Sequence, residues 1–467
     1  MKQAFSIAFP LLSLLVLGIA ACEDPTTGGG PVAPGGDAGF GVDSGDVDPP
    51  VVNTCPAPTG EPTKHQGNIT ADETWAAGVH VLTFDISIRG ATLTIAPCAI
   101  IQTPSGRQIG VGFQSANPGK LVAKGEAGKP IIFQGADDTA KWGGILVNPS
   151  ATAELTYVEI KNGGQISGSR GGAALHVLGD GTKPLQKTTT VDHVTIEGSE
   201  KYGAILETKG GFTDASTNLI IKGAAQTPLR VSANSVGTVP LGKYTGNGID
   251  HIRMYGDIID ADVTMHDRGV PYEPGNDGQF PEISVAGTVA GQALLTIEAG
   301  VTIRFTKHPS SGLHIQRASG TAPSTAALRV LGTAEKPVVF TSNEAAPAPG
   351  DWLGIMLRGV PDPRTKIDYA RVEFAGADTG TRNFSCGTVP SPDPASNEAA
   401  IQIYGQPTSA FVTNTTITKC AANAFERGWS GTPVDFLPTN TITEIAWCKQ
   451  TYPRPTAGAC PDPAPCE

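Results

Sequence analysis

The chain has 467 residues, with 58 Gly, 38 Pro, 16% charged side chains and a formal net charge of −11. Average globular chains carry about 25% charged residues and fewer of both turn formers, so this composition speaks against a helical protein and for a turn-rich β protein. The acidic balance disfavours binding to nucleic acid or to anionic lipid, which needs clustered Lys and Arg to displace counterions.

Met1-Lys2-Gln3 is followed by an apolar run from Phe9 to Ala21, interrupted by Pro10, Ser13 and Gly18 and closed by Cys22. The run is too short and too abruptly ended for a spanning helix, so residues 1–21 are expected to be a signal peptide. Its end, Ile19-Ala20-Ala21-Cys22, resembles a bacterial lipobox. That resemblance implies that Cys22 becomes the mature N-terminus and a lipid anchor in a bilayer, each buried CH₂ contributing ~0.8 kcal/mol. The expected location is the cell envelope, at the outer membrane or surface of a Gram-negative bacterium. Residues 22–53 are Gly, Pro and Asp with almost no large apolar side chain besides Phe40, and form a tether. Asp37, Asp43, Asp46 and Asp48 in it lack the Gly and Glu positions of an ordered calcium loop.

From residue 54 onward, short runs of alternating apolar residues such as Leu93-Thr94-Ile95, Leu121-Val122-Ala123 and Ile131-Ile132-Phe133 are separated by turn formers. They are too closely spaced for helical crossovers, and hairpin dipeptides between them are scarce, which predicts parallel stacking of successive coils. A duplication supports this. Leu93-Thr94-Ile95 recurs as Leu295-Thr296-Ile297, an offset of 202, and Trp142 with Ile145 recurs as Trp352 with Ile355, an offset of 210. Lys129-Pro130-Ile131-Ile132-Phe133 recurs as Lys336-Pro337-Val338-Val339-Phe340, an offset of 207. Offsets that drift only at turns suit a solenoid, in which each coil contacts mainly its neighbours. The expectation is a first copy at 54–254, a second at 255–435 and a Cys/Pro-rich tail at 436–467, with coils of about 20 to 25 residues.

The L-T-I, K-P-I/V-I/V-F, W-x-G-I and Tyr-containing strand pattern resembles bacterial surface proteins of the right-handed parallel β-helix, or pectin-lyase-like, class, over about residues 66 to 430. The resemblance implies an all-β, right-handed parallel β-helix solenoid of two tandem units. It is nearly silent on activity, because the fold hosts lyases, hydrolases, esterases, tailspikes and adhesins.

Without Cys22 the candidates for disulfides are Cys55, Cys98, Cys386, Cys420, Cys448, Cys460 and Cys466, an odd number that leaves at least one thiol outside an internal bond. Cys55 with Cys98 would staple the start of the body, Cys386 with Cys420 would close a long loop, and two of the last three would pin the tail. Their spacing does not suit zinc.

Catalytic motifs of polygalacturonase-like helices are missing apart from Asp137-Asp138, expected to shape a turn as Asp351 does before Trp352. The densest polar cluster is Asp257, Asp260, Asp262, His266, Asp267 and Arg268, which offers carboxylates, a titratable His and a cation but is expected to be a polar junction between the copies. His176, His193, His251, His308 and His314 are scattered singly. Asn218 and Asn414 suit turns with positive φ. Trp75, Trp142, Trp352, Trp429 and Trp447 would stack on sugars if exposed, but Trp142 and Trp352 recur beside Gly, which favours coil packing. No cofactor is implied. The expected function is a non-catalytic anchored rod presenting loops to a polysaccharide or a surface protein; the alternative is a cell-envelope polysaccharide lyase or glycoside hydrolase.

Overall fold

A computed structural model describes residues 52–113, 117–165, 171–275, 281–289, 292–315, 323–380, 385–386, 398–461 and 466. The expected signal peptide, the expected anchor Cys22 and nearly all of the expected tether lie outside the described residues. The described chain is a parallel β-helix whose strands stack in register on three faces. Face A holds Glu73–Trp75, Thr92–Ile95 and Lys120–Lys124, and later Ala293–Glu298, Ala326–Leu331 and Lys366–Asp368. Face B holds Ala99–Gln102 and Ile131–Gln134, and later Thr302–Phe305, Val338–Ser342 and Ala370–Glu373. Face C holds Gln108–Val111, Gly144–Val147 and Ala173–Leu178, and later Gly312–Ile315, Ile355–Leu357 and Ala399–Ile403.

Period-two alternation builds the core. In Thr92–Ile95, Leu93 and Ile95 point inward and are fully buried, and each stacks on its counterpart one coil on, Leu121 and Ala123. Met265, Ile297, Val330, Ile367 and Val412 form the corresponding column in the second half. Each buried Leu or Ile stabilises the rod by roughly 1.5–3 kcal/mol.

The corner between faces A and B is turned by one residue in the left-handed region: Tyr157, His193 and Asn218 in the first half and Tyr369 and Asn414 in the second, at φ of 47°, 53°, 49°, 48° and 49°. The Asn expectation holds, and the strain is offset by stacking of the corner residues. The His193 ring lies 4.4 Å from that of Tyr157, and Asn218 Nδ2 donates to His193 Nε2 at 3.3 Å while Nδ1 meets Asp192 at 2.7 Å.

Several coils have the expected 20 to 25 residues, as from Glu73 to Leu93 (20) and from Ile417 to Ile442 (25), while others are longer: 28 from Leu93 to Leu121 and 45 from Ile367 to Val412. The strands keep their length while the turns between faces grow. At the boundary between the duplicated stretches the ladders change partners. On face A the 3₁₀ segment Ala233–Thr238 occupies the rung between Gly210–Phe212 and Val263–Met265. Tyr272–Pro274 pairs back to Ile252–Tyr255 and forward, through Tyr272 and Ile303, to Thr302–Phe305. The segment expected as a tail carries a further rung, because Thr441–Ile445 pairs with Thr416–Cys420 and Phe436 is fully buried.

Cys55 is bonded to Cys98, holding the entering segment against the first coils. The expected Cys386–Cys420 pair does not form. Cys386 is bonded to Cys460 and Cys448 to Cys466, leaving Cys420 as a buried free thiol. Cys420 ends an inward-alternating strand and belongs to the core, out of reach of the outer loop that carries Cys386.

Candidate functional site

Outward side chains on face C form a row along the rod: Ser87, Gly110, Leu146, His176, Ile205, Arg230, Arg253 and Glu273 occupy successive aligned positions. Strand pairing spaces them about 4.8 Å apart. At the start the floor is small, and its edges carry two exposed aromatic rings each covered by a cation. Arg107 lies 5.0 Å from the centre of Phe84 before the face C strands, and Arg89 lies 4.0 Å from that of Phe113 after them.

Further along, the row becomes an aromatic and cationic ladder. The Arg230 guanidinium lies 4.0 Å from the Tyr255 ring centre and 5.9 Å from that of Tyr202, while Lys201 Nζ lies 4.9 Å from Tyr202. Burial pushes the Tyr255 phenol far up, so it stays a donor, to Leu206 O at 3.3 Å. His176 Nε2 meets Glu207 Oε2 at 2.8 Å, and this hydrogen bond holds the Glu207 carboxyl below its usual range. Burial alone would raise Glu273; His251 at 3.3 Å and Arg253 at 3.4 Å outweigh it and hold the group low. Both carboxylates are therefore ionised at neutral pH and engaged by cationic or imidazole neighbours.

A separate row runs along face C of the second half through Ser284, His314, Met356, Gln402 and Glu426, because the ladder through Glu273 passes to Thr302–Phe305 on face B. Glu398 and Glu426 are 1% and 0% exposed. Burial raises Glu398 to about 7, aided by Asp378 and opposed by a 2.9 Å hydrogen bond from Thr379 Oγ1. Burial, with Glu398 adding, pushes Glu426 well above its ordinary value, and neither of its oxygens has a hydrogen-bond partner among the described residues.

The sequence cluster at 257–268 does not converge. Asp257 accepts from Ala233 N at 2.5 Å and Asn234 Nδ2 at 2.8 Å, tying down the 3₁₀ segment; burial raises its carboxyl pKa against these bonds. A groove of about 280 Å³ opens beside it, bordered by Glu282 and Ser284. Asp260 pairs with Lys209 at 2.8 Å, His266 with Glu298 at 2.9 Å, and Arg268 Nε donates to Val239 O at 2.8 Å. Asp267 Oδ1 accepts from Gly269 N at 3.0 Å, and Asp262 is exposed.

Asp137 Oδ1 accepts from Thr139 Oγ1 and N and from Ala140 N, at 2.8, 2.9 and 2.8 Å, as a turn-shaping residue does. Asp351 plays the same part through Ser342 Oγ and Ala348 N, both at 2.8 Å. His308 Nδ1 accepts from Ser310 N at 3.1 Å. Trp75, Trp142, Trp352 and Trp429 are buried and Trp447 is half-buried, so the expected stacking platforms are core residues. Phe84 and Phe113 are exposed and Tyr255 is half-buried, and none of the three stands out in the sequence. Among the described residues, no group of three or more His, Cys, Asp or Glu is placed to hold a metal ion.

Residues 278–385 match the family described as the pectate-lyase-like β-helix domain. No curated protein and no solved structure matches the chain. The family match covers part of the second half, and it agrees with the parallel ladders in giving a parallel β-helix architecture.

Proposed function

We propose that the chain is an exported lipoprotein, anchored through Cys22, whose face C grips an extended glycan without cleaving it. The observation that carries the binding reading is the Arg230 guanidinium 4.0 Å from the ring centre of Tyr255, both partly exposed on face C with Lys201 near by. Tyr202 and Arg253, 1% and 8% exposed, back this pair from beneath, so an extended ligand lying along the rod meets a cation and an aromatic side chain there. Aromatic faces pack against the apolar faces of sugars, and guanidinium groups serve carboxylates and hydroxyls.

Glycoside hydrolysis uses a pair of carboxyl groups within reach of the scissile bond. Glu207 and Glu273 on this face are engaged by His176, His251 and Arg253. A polysaccharide lyase or glycoside hydrolase is the second reading, favoured by the family match and by a Glu398 carboxyl near neutrality. The burial of both Glu398 and Glu426 weighs against it.

The test is to incubate the full chain with acidic and neutral polysaccharides, with and without calcium, reading binding and new reducing or unsaturated ends. Binding without new ends, weakened about tenfold by Arg230→Ala, is expected, a loss of ~1.4 kcal/mol. Cleavage abolished by Glu398→Gln would replace this reading with the second, and an absence of binding to the whole panel would remove both. For the anchor, Cys22→Ser is expected to abolish acyl labelling and release the chain from the membrane fraction; retention there would refute anchoring through Cys22.

A further inference from the structure

We propose that a groove on the flank of the second half, remote in sequence from the ladder of face C, binds a sugar acid through Arg329. The groove encloses about 550 Å³ between the turn at 361–365 and the turn at 407–411, which lead from face C to face A in two successive coils. That volume suits a ligand of one or two sugar rings.

Three cations line it. Arg364 is held by Asp362, with Nε to Oδ1 at 3.0 Å and Nη2 to Oδ2 at 3.2 Å, and the exposed Asp262 adds a longer-range attraction. Lys366 Nζ pairs with Asp368 at 2.9 Å. Arg329, aligned with Lys366 on the neighbouring strand, is exposed and has no hydrogen-bond or ion-pair partner among the described residues. With two of the three cations already compensated, the groove offers one free guanidinium, which matches a monoanionic carboxylate through a two-pronged hydrogen bond better than a dianionic phosphate.

The rest of the lining fits the remainder of a sugar acid. Phe411, Pro363 and Pro407 supply apolar surface for a ring face, and Thr408 and Ser409 supply exposed hydroxyls. Thr365 is an independent sign of a missing partner. It lines the groove, is 6% exposed, and its Oγ1 has no hydrogen-bond partner. A buried hydroxyl left so is costly, and a ligand that supplied its missing partner would recover that cost.

The test is calorimetric titration of the full chain with glucuronate, glucose, inorganic phosphate and a short oligosaccharide ending in glucuronate. Binding of glucuronate, with glucose and phosphate at least tenfold weaker, is expected. Arg329→Gln should weaken glucuronate at least tenfold with an unchanged melting curve, and Thr365→Val should weaken it several-fold. Equal affinity for the free acid and the oligosaccharide points to a free sugar acid, and tighter oligosaccharide binding to a chain end. Arg329→Gln should leave the binding of long polysaccharide to face C unchanged, so loss of glucuronate binding alone separates this site from the face C reading. No glucuronate binding, undiminished binding in Arg329→Gln, or phosphate binding as tightly as glucuronate would each overturn the proposal.

Discussion

Trp142 and Trp352, 210 positions apart, make the same hydrogen bond: each indole Nε1 donates to a backbone carbonyl at 2.7 Å, that of Lys161 in one case and of Glu373 in the other. Both rings are fully buried, and Trp352 stacks on Phe305 with centres 4.3 Å apart. The indole fills the corner between faces B and C and satisfies a carbonyl that would otherwise be buried without a partner. Truncating either to Ala should cost ~3–5 kcal/mol, as removal of a large buried aromatic does. Phe at either site should cost about 1–3 kcal/mol, mainly through the orphaned carbonyl. Chemical denaturation of the four variants measures this, and a fully neutral Trp→Phe would show that the hydrogen bond contributes nothing.

The first coil should loosen in mild acid. His65 Nε2 lies 2.9 Å from His80 Nδ1, His80 Nε2 lies 2.8 Å from Ala76 O, and His65 stacks on Trp75 at 4.0 Å. Burial, then His80, lowers the His65 pKa below 6.5, with Glu73 pulling the other way. A depressed imidazole pKa contributes stability that is complete above about 6.5 and is lost as pH falls towards the folded value. Amide exchange over Thr63–Ile69 should accelerate as pH falls below about 6.5, and His65→Gln should flatten that dependence.

The opposite dependence is expected near the other end. Glu398, raised to about 7 by burial, and Glu426, raised well above its ordinary value by burial, favour the folded state while protonated. Their contribution is complete below the unfolded carboxyl value of about 4.5 and is lost as pH rises through the folded values. Glu426→Gln keeps the shape and removes the ionisable group, so the variant should equal the wild type near pH 5 and exceed it at pH 8. Melting temperatures at the two pH values decide this; equal differences at both would mean that the carboxyl is not titrating.

Thiol chemistry gives a separate check. Burial pushes the Cys420 thiol up to about 12, so it should be inert towards disulfide reagents in the native state. In denaturant without reductant the body should release one reactive thiol, from Cys420. Peptide mapping should join Cys55 to Cys98, Cys386 to Cys460 and Cys448 to Cys466. A recovered Cys386–Cys420 peptide would contradict the arrangement.

The fold is legible in the sequence because a β-helix repeats its physics locally: Leu93 and Ile95 alternate inward within one strand, and Asn218 and Asn414 mark corners by a conformation they tolerate well. Contacts between coils are another matter. Arg230 meets Tyr255 and Tyr202 from 25 and 28 positions away, and coil lengths vary with their turns, so no fixed spacing reveals the ladder. For the same reason the chain partner of Cys386 is set by which loops fold back over the last coils. The dense polar run at 257–268 attracts attention because its members are adjacent in sequence, yet one residue of turn sends each side chain to a different neighbour.

The short strand Tyr272–Pro274 has a thermodynamic consequence. In a stack of layers, cooperativity travels only as far as the interfaces carry it. Around this strand, face A is interrupted by a 3₁₀ segment, while Tyr272 is aligned with both Ile252 and Ile303 and so hands the ladder from one face to another. Side-chain packing still runs through the junction, but backbone coupling there is thinner than between any two ordinary coils of the same rod. Heating should therefore melt two blocks at separate temperatures, and pulling from both ends should extend the chain in two steps, so that one block can be lost while the other keeps its folded form.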